Sequence, residues 1–503
     1  MANIVVTHFS GLLVNGKYRT SVFYEGFINS LLENGNNVLH VITSNYLLRP
    51  WNGSNTTISP EIGQLVLEEI INFNPDLVIS FNNSSIEGIE DAVDCPIALW
   101  EADTFQFFND KDYVKRNADR YHFLAFASDA IEVYKRELGI SDNRVRRVPA
   151  ATGVKSTKEE KRYNISFIGN TFSASPTVFK YLAQHPSVRD LDTSVFSDAQ
   201  VSQYCETLKT LSGLDGHAIL FRKSGQDRLS ICHRLFEHGL HLFGPDDWYR
   251  LGMLGDDILD AYDPRVVYSL HHNQLIYNRS KVSLNINHAQ ASTGFAWRVI
   301  DILASDSALL TTPSSDLKAL CGDKVSLQVF NSVAEADDLA GKLLKDNSLR
   351  EDVIAQQNEL VEMNFRWKHR FPIISEFTGV ELNAGPEKGT YKEVLVEPTA
   401  NVVSQAVQEI YRGITAVHKA GRIVNTKRGL QARGEVSIGA RHRFLIFILQ
   451  VYAALRAFLR RIRVVSRTVN FCKSAVHFIW PNLVVLVRNA RMKSTENSAK
   501  EYE

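Results

Sequence analysis

Short apolar runs that alternate with helical segments constrain the fold of this chain more than any other feature. Residues 3–8, 37–43 and 76–81 read NIVVTH, NVLHVIT and DLVISF, and a segment with helical periodicity follows each of the first two runs. Short apolar strands between helices are typical of parallel sheets that are covered on both faces. We therefore predict an α/β fold built from doubly wound parallel sheets.

The pattern stops at a charged connector and then starts again. Residues 155–162 read KSTKEEKR, and the apolar run that follows at residues 163–169 reads YNISFIG. A chain of 503 residues is also too long for one ordinary core. Residues 217–221 are predicted to be a further strand of the second half. The predicted organisation is a Rossmann-like domain over residues 1–155, a second one over 156–382, a linker over 383–410 and a helical tail over 411–503.

The formal net charge of zero conceals an asymmetry between the body and the tail. Residues 411–503 contain 18 Lys and Arg against 4 Asp and Glu, whereas residues 1–410 contain 38 against 52. The tail also carries many apolar residues and Trp480 between its arginines, a composition typical of basic amphipathic helices on membrane surfaces. We predict that the tail binds an anionic membrane surface or a membrane-bound assembly partner. The alternative is a helical hairpin that packs on its own body or on another subunit.

Several classes of protein are disfavoured by what the sequence lacks. The cysteines have no paired spacing, which fits a reducing compartment and argues against a disulfide framework or a cysteine-rich zinc site. The motifs HExxH, GxSxG, GxGxxG and GxxxxGK[ST] are absent, which disfavours a zinc protease, a serine hydrolase, a dinucleotide dehydrogenase and a P-loop NTPase. A nucleic-acid-binding tail would not require so many apolar residues. The first residues read as a strand and not as a signal peptide, so we expect a cytoplasmic protein, peripheral at the membrane.

Loops at the carboxyl ends of the predicted strands supply candidate binding residues, because open α/β sheets bind ligands at that edge. Gly169 and Asn170 form a turn whose backbone N–H groups suit a phosphate, although most such turns are only turns. The loop over residues 287–294, which contains His288 and Gly294, follows another predicted strand.

The helix after that loop carries Arg298 and Asp301, one turn apart. A guanidinium at the sheet edge can hold a phosphate, and a carboxylate can hold ribose hydroxyls. The two residues could equally form an ion pair within the helix, worth a few tenths of a kcal/mol. Their spacing does not decide between these interpretations.

A further segment combines basic residues with a cysteine. Arg222, Lys223 and Arg228 could bind an acidic sugar or a phosphate, or could be solvated surface charges. Cys232 has leucines at helical spacing on both sides, so its periodicity indicates an ordinary core cysteine.

From residue 163 to about residue 371 the chain resembles the C-terminal half of a GT-B glycosyltransferase. The resemblance rests on SFIGN, LHLFGPDDW, YNRSKVSLNIN, GFAWRVIDILASDSALLTT and NFRWKHR in that order. DLVISFN, IALWEAD and FASDAIEVYKRELG fit the first half of the same architecture. Residues 1–382 are most similar to the retaining β-Kdo transferase module of WbbB-like enzymes, which cap lipopolysaccharide O-antigen chains.

The resemblance implies transfer of Kdo from CMP-β-Kdo to the terminal sugar of a lipid-linked O-antigen glycan, at the inner face of the inner membrane. It implies retention of configuration, double displacement, and neither metal nor other cofactor. An Asp nucleophile is expected in the segment that matches SICHRLFEHG, where this chain has Cys232, so we expect impaired activity. The expected acceptor-binding residues are Gly11, Glu101 and Asp103. The expected donor-binding residues are Gly169, Asn170, Arg222, Lys223, Arg228, His288, Gly294, Arg298 and Asp301.

Two alternatives stay open at the level of sequence. The first is a GT-B transferase that uses a UDP- or GDP-hexose in place of CMP-Kdo. The second is a non-catalytic, nucleotide-binding scaffold that recruits export machinery through its basic tail.

Overall fold

The computed structural model describes residues 1–10, 13–14, 17–43, 60–82, 84–101, 111–172, 216–245, 248, 261–263, 267–289, 291, 293–322, 326–383 and 385–396. These residues belong to one compact unit, Met1–Thr399. The tail predicted over residues 411–503 lies outside the described residues. Two parallel sheets form the compact unit, which confirms the predicted α/β fold class.

The N-terminal half alternates strands and helices as its apolar runs predict. Its strands are β1 (Asn3–Phe9), β2 (Leu13–Val14), β3 (Lys17–Tyr18), β4 (Asn37–Thr43), β5 (Leu77–Phe81), β6 (Ile97–Glu101), β7 (Tyr121–Ala125) and β8 (Val145–Arg147). Its helices are α1 (Val22–Glu33), α2 (Pro60–Phe73), α3 (Ile89–Ala92), α4 (Lys111–Arg116) and α5 (Ser128–Leu138). Short 3-10 helices at Ala118–Arg120 and Asp142–Arg144 lead into β7 and β8.

The C-terminal half repeats the same alternation. Its strands are β9 (Tyr163–Ile168), β10 (Leu240–Phe243), β11 (Ser280–Asn285), β12 (Ala308–Thr311) and β13 (Gln328–Val329). Its helices are α6 (Gly216–Leu235), α7 (Leu270–Asn278), α8 (Arg298–Leu303), α9 (Ser315–Cys321), α10 (Val333–Lys345) and α11 (Asn347–Asn364). The 3-10 helices Phe236–His238 and Trp367–His369 extend this half. The chain ends its described part with α12 (Phe371–Thr378) and β14 (Tyr391–Val396).

Both sheets are doubly wound. The strand order is β14-β4-β1-β5-β6-β7-β8 in the first sheet and β10-β9-β11-β12-β13 in the second, over the described residues. All of their strand pairs are parallel, and β2 pairs with β3 as a separate antiparallel ribbon. In each sheet the chain starts in the interior, adds a strand on one side, and then continues on the other side. The strand order therefore reverses beside β1 and beside β9.

The cores lie on both faces of each sheet, which explains why the strand sequences are apolar throughout. On one face of β1, Val6 packs in a cluster with Phe27 and Leu31 of α1. On the opposite face, Val5 packs in a cluster with Val66 and Ile70 of α2. A strand that is covered on both faces cannot alternate apolar with polar residues.

The end of the second half differs from the prediction. Phe371 and Ile374 of α12 are buried in the core of the N-terminal half, although the sequence assigned residues 156–382 to the second domain. Residues 391–396, predicted as part of a linker, form β14 and pair with β4. An apolar stripe predicts that a helix or strand is buried but does not reveal which sheet will cover it.

The predicted strand over residues 217–221 is wrong, because these residues form the first turns of α6. A short apolar run has no periodicity that separates a buried strand from a buried helical segment. The helix itself is correct from Arg228 onward, and Gly239 closes the segment with a left-handed φ of 78°.

Candidate functional site

The reversal of strand order in the second sheet defines the first candidate site. The next strand of this sheet after β9 in the chain, β10, lies on one side of it, whereas the strand after β11, β12, lies on the other side. In open α/β sheets, ligands bind at the carboxyl ends of the strands beside such a reversal. Gly169 and Asn170 follow β9, and Asn287 and His288 follow β11. We call this place the donor switch point and call residues 287–297 the donor loop.

Arg228 of α6 joins the two strand ends at the donor switch point. Its side chain is 1% exposed, and its Nη1 donates to the backbone carbonyl and to Oδ1 of Asn170 at 2.5 and 2.6 Å. Its Nη2 donates to the carbonyl of Ile286 at 3.2 Å. The guanidinium carbon also lies 4.0 Å from the ring centroid of Phe172. A buried cation is thus held between the ends of β9 and β11.

A second cation and a carboxylate lie within the preceding turns of α6. Lys223 is 2% exposed and forms an ion pair with Asp227, four residues later. Burial raises the pKa of Asp227 to about 6, against the opposing effect of the Lys223 ammonium. The carboxyl group is therefore largely ionised at pH 7 and can still gain a proton in mildly acidic solution.

Two glycines allow the turn after β9 to approach the neighbouring strand. A Cβ atom on Gly244, whose φ is +140°, would lie 2.2 Å from the carbonyl oxygen of Gly169. A Cβ atom on Gly169 would lie 2.8 Å from the ring of Phe167. The indole N–H of Trp248 donates to the same Gly169 carbonyl at 2.7 Å. The position of the turn therefore depends on the absence of side chains at both residues.

The donor loop starts at the switch point and reaches the N-terminal half. His288 meets the ring of Phe172 edge to face, with centroids 4.1 Å apart. The backbone N–H of Ala289 donates to Ser224 Oγ of α6 at 2.8 Å. At the other end of the loop, a Cβ on Gly294 would lie 3.1 Å from Cβ of Ala127 in the N-terminal half.

Arg298 and Asp301, which were predicted as a donor-binding pair, have different hydrogen-bond partners. Arg298 Nη1 lies 3.3 Å from Asn285 Oδ1, beside the switch point, and burial lowers the pKa of its guanidinium. Asp301 Oδ1 accepts from Thr152 Oγ1 at 2.5 Å, in the segment that joins the halves. Burial raises the pKa of Asp301 to about 6, against the opposing effects of the Thr152 hydrogen bond and of Arg298. The assignment of Asp301 as a ribose ligand stays a prediction.

The nucleophile position assigned to Cys232 requires correction. Its side chain is 1% exposed and lies in the apolar cluster that contains Leu229 and Leu235. Burial raises the pKa of the thiol far above its usual range. A thiol that is protonated and enclosed by apolar side chains cannot reach a substrate, so the periodicity that indicated a core cysteine was the better guide.

The structure does not describe the side-chain positions of Glu101 and Arg222, and it does not describe Gly11 and Asp103 at all. Gly11 and Asp103 lie outside the described residues. Glu101 ends β6 and Arg222 lies in α6, but the side chains of both are outside the described part of the chain. Their assignments stay predictions.

The reversal of strand order in the first sheet brings together residues that the sequence analysis missed. His8 lies at the carboxyl end of β1, stacked on Tyr24 with ring centroids 4.2 Å apart. Asn82 follows β5 with a φ of 48° and donates to Tyr24 Oη at 3.3 Å. Trp297, from the donor loop, packs edge to face against Tyr24. A polar residue at the end of a strand was the available signal for His8, and nothing in the sequence linked it to Trp297.

His8 is buried with one nitrogen unused. Its Nδ1 lies 3.1 Å from the carbonyl of Phe9, so this nitrogen carries the proton, and its Nε2 has no hydrogen-bond partner among the described residues. Burial lowers the pKa of His8 to about 4, so the ring is neutral near pH 7. Within the same described part of the chain, the indole N–H of Trp297 has no acceptor. Each half therefore contributes one buried polar group without a described partner beside Tyr24.

Two kinds of group were searched for in the described part of the chain. No three or more His, Cys, Asp or Glu side chains are arranged there to hold a metal ion. No helix there is both long and apolar enough to cross a membrane. The prediction that the chain requires no metal stays a prediction.

Comparison with known proteins gives one family match. Residues 228–375 match a family model described as glycosyl transferase-like, and these residues run from Arg228 of α6 to α12. The match covers less than half of the chain. Together with the two doubly wound sheets, it supports a glycosyltransferase of the GT-B type. No curated protein matches the chain.

Solved structures with similar folds are distant. A glycosyltransferase from Rickettsia africae is 11% identical, with 75% of this chain and 98% of that chain covered and a TM-score of 0.42. T4 phage β-glucosyltransferase with its UDP-glucose substrate is 13% identical, with 75% and 100% covered and a TM-score of 0.40. Sucrose-phosphate synthase from Thermosynechococcus elongatus is 10% identical, with 75% and 98% covered and a TM-score of 0.41. The assignment of fold class rests on the two sheets and not on these likenesses.

The burial of Cys232 leads to a prediction about stability. Cys232→Asp should lower the free energy of unfolding by about 3 kcal/mol or more, because it places a carboxylate in an apolar cluster. The matched variant Cys232→Ala should lose only about 1 kcal/mol for a small cavity. Urea unfolding followed by tryptophan fluorescence measures both. A Cys232→Asp variant as stable as the parent chain would return this residue to the list of accessible site residues.

Proposed function

We propose that the protein transfers a sugar from a nucleotide-activated donor bound at the donor switch point. The observation that carries the proposal is the buried guanidinium of Arg228 between the ends of β9 and β11. Glycosyl transfer from a nucleotide creates negative charge on the departing phosphate. A fixed cation at the strand ends stabilises that charge without the cost of reorganising solvent.

The charged residues at this place suit an anionic ligand. Lys223 and Arg228 are buried cations, and the Asp227 carboxylate pairs with Lys223. A buried cation interacts strongly with a nearby anion, because the dielectric constant around it is low. A phosphate or the carboxylate of an acidic sugar is therefore a ligand of suitable charge for this place.

CMP-β-Kdo is the proposed donor, because it combines one phosphate with a sugar carboxylate. In this arrangement Arg228 with the turn at Gly169 and Asn170 holds the phosphate, and Lys223 holds the carboxylate of Kdo. Arg298 and His288 contact the nucleotide from the side of the donor loop. A UDP- or GDP-hexose carries a second phosphate in place of the sugar carboxylate, so nucleotide preference separates the donors.

The proposed mechanism is a double displacement with retention of configuration. Asp227 takes the role that Cys232 cannot fill, because its carboxylate lies beside both cations. Its oxygen attacks the anomeric carbon, the bond from that carbon to the phosphate oxygen breaks, and CMP leaves with the electron pair. An acceptor hydroxyl then attacks the same carbon, loses its proton to a base, and releases the Asp227 carboxylate.

The acceptor is proposed to be the terminal sugar of a lipid-linked O-antigen glycan. It would lie at the switch point of the N-terminal half, where His8, Asn82 and Tyr24 come together. His8 is fully buried and would support Tyr24 from within the half, while the polar groups of Tyr24 and Asn82 would contact the sugar.

Arg228 is expected to govern nucleotide affinity. Arg228→Gln should raise the dissociation constant for CMP about tenfold or more, because it removes the cation at the strand ends. Arg234→Gln, which removes an exposed arginine from the same helix, should leave it unchanged. Isothermal titration with CMP, UDP and GDP measures the effect. Preference for UDP or GDP would refute CMP-Kdo as the donor. If the protein bound none of the three nucleotides, the proposal of a nucleotide-sugar transferase would be refuted.

Asp227 is expected to carry the sugar between the two displacements. After incubation with CMP-Kdo and no acceptor, intact mass spectrometry should find one added Kdo on the parent chain, mapped to Asp227 by peptide analysis. Asp227→Asn should show no adduct, and Asp338→Asn, which changes an exposed carboxylate of α10, should retain it. An adduct on another residue would refute this assignment, and CMP release without any adduct would refute double displacement.

The basic tail is proposed to keep the protein at the cytoplasmic face of the inner membrane. The full chain should co-sediment with vesicles that contain anionic lipid and not with neutral vesicles. Added salt should weaken the binding, because it screens the attraction between arginines and headgroups. Absent binding, or binding that is insensitive to salt, would count against attachment to an anionic membrane surface.

A further inference from the structure

The N-terminus of α5 lacks a cap of its own. Ala127 occupies the N-cap position, and it has no side-chain oxygen to accept from the first N–H groups of the helix. The missing acceptors come from the C-terminal half. The N–H of Ser128 donates to Asp316 Oδ2 at 2.8 Å, and the N–H of Asp129 lies 3.4 Å from Thr293 Oγ1.

Asp316 is held by groups from both halves. It lies in the first turn of α9 and is 4% exposed. Its Oδ1 lies 3.0 Å from Nη2 of Arg147, at the end of β8 in the N-terminal half. Its backbone N–H donates to the carbonyl of Thr293 at 3.0 Å. The Asp316 carboxylate therefore caps a helix and pairs with a cation of the N-terminal half, and its Oδ2 also lies 3.3 Å from Thr293 Oγ1 of the donor loop.

Thr293 completes the contact from the donor loop. Its hydroxyl donates to Asp129 Oδ1 at 2.8 Å and lies 3.2 Å from Ser128 Oγ. The hydroxyl of Ser314 donates to the Thr293 carbonyl at 2.8 Å. The end of the donor loop is thus fixed only when α5 and α9 are together, and the beginning of the same loop carries His288 at the donor switch point.

We infer that Asp316 is a positioning residue that fixes the donor loop by capping α5 across the boundary between the halves. The role of the loop in ligand binding rests on the proposed function, whereas the contact between Asp316 and α5 does not. When the halves separate, α5 loses its cap and the ion pair between Arg147 and Asp316 breaks. The Thr293 hydroxyl loses its contacts with α5, while the Thr293 carbonyl keeps its bonds to Ser314 and Asp316. The carboxylate thereby makes the shape of the donor site depend on the presence of the acceptor half.

Hydrogen exchange of the full chain without nucleotide tests the contact. Asp316→Ala should raise the exchange rates of the amides of Ser128 and Asp129 and of residues 293–297 about tenfold, because it removes the acceptor and the ion pair together. Asp316→Asn should show a smaller increase, since its amide oxygen can still accept from Ser128. Asp337→Asn is the matched control, because Asp337 pairs with Arg234 and His238 inside one half.

A second measurement connects the contact with ligand binding. The dissociation constant for CMP should increase about tenfold in Asp316→Ala and remain unchanged in Asp337→Asn, because the competent loop becomes a minor state. If Asp316→Ala does not fold, Arg147→Met breaks the ion pair from the other side, with the same expected direction.

The outcomes separate the inference from the proposed function. Exchange that is unchanged at residues 128–129 and 293–297 in Asp316→Ala would overturn the inference. Raised exchange with no CMP binding by the parent chain would leave the contact established and refute the CMP-dependent function. Raised exchange with unchanged CMP affinity would overturn the positioning role.

Discussion

The guanidinium of Arg228 is the interaction on which the rest of the donor half depends. A buried cation is tolerated only when its charge and its N–H groups are matched by nearby acceptors. The chain supplies two carbonyls from the ends of β9 and β11 and one amide oxygen from Asn170. The glycine turn that presents Asn170 exists because Gly169 and Gly244 leave room for close backbone contact. The strand order, the glycines and α6 therefore serve one contact, and the proposed phosphate site rests on it.

The sequence predicts the sheets well because both faces of each strand are buried. β1, β4 and β5 are recognisable as apolar runs, since apolar residues of each strand pack on both faces of the sheet. The packing of α12 and β14 against the first half was not predictable. Their apolar residues must be buried, but several surfaces of the protein could bury them. The helix at residues 217–221 was misread for a similar reason, because the four apolar residues 218–221 suit either structure.

The candidate site was only partly predictable, because residue type and spacing do not identify the partner of a side chain. Gly169, Asn170 and Arg228 were found, because strand ends and basic residues are visible in the sequence. Asp301 was predicted as a ligand because it follows Arg298 by one turn, and the sequence did not reveal its hydrogen bond to Thr152, far away in the chain. Asp227 was passed over because Cys232 occupied the expected place. His8 required the strand order, which brings β1 beside β5.

The buried carboxylates of the donor half divide between two tasks. Asp227 lies beside the cations at the switch point, whereas Asp301 and Asp316 bind groups of the joining segment and of the acceptor half. Burial of a carboxylate is costly, and groups outside its own helix offset part of that cost. Thr152 donates to Asp301, and Ser128 and Arg147 bind Asp316. Asp301 lies in the same helix as Arg298, and Asp316 contacts Thr293 of the loop that carries His288. The geometry of the donor site is therefore coupled to the arrangement of the halves by charge, in addition to apolar packing.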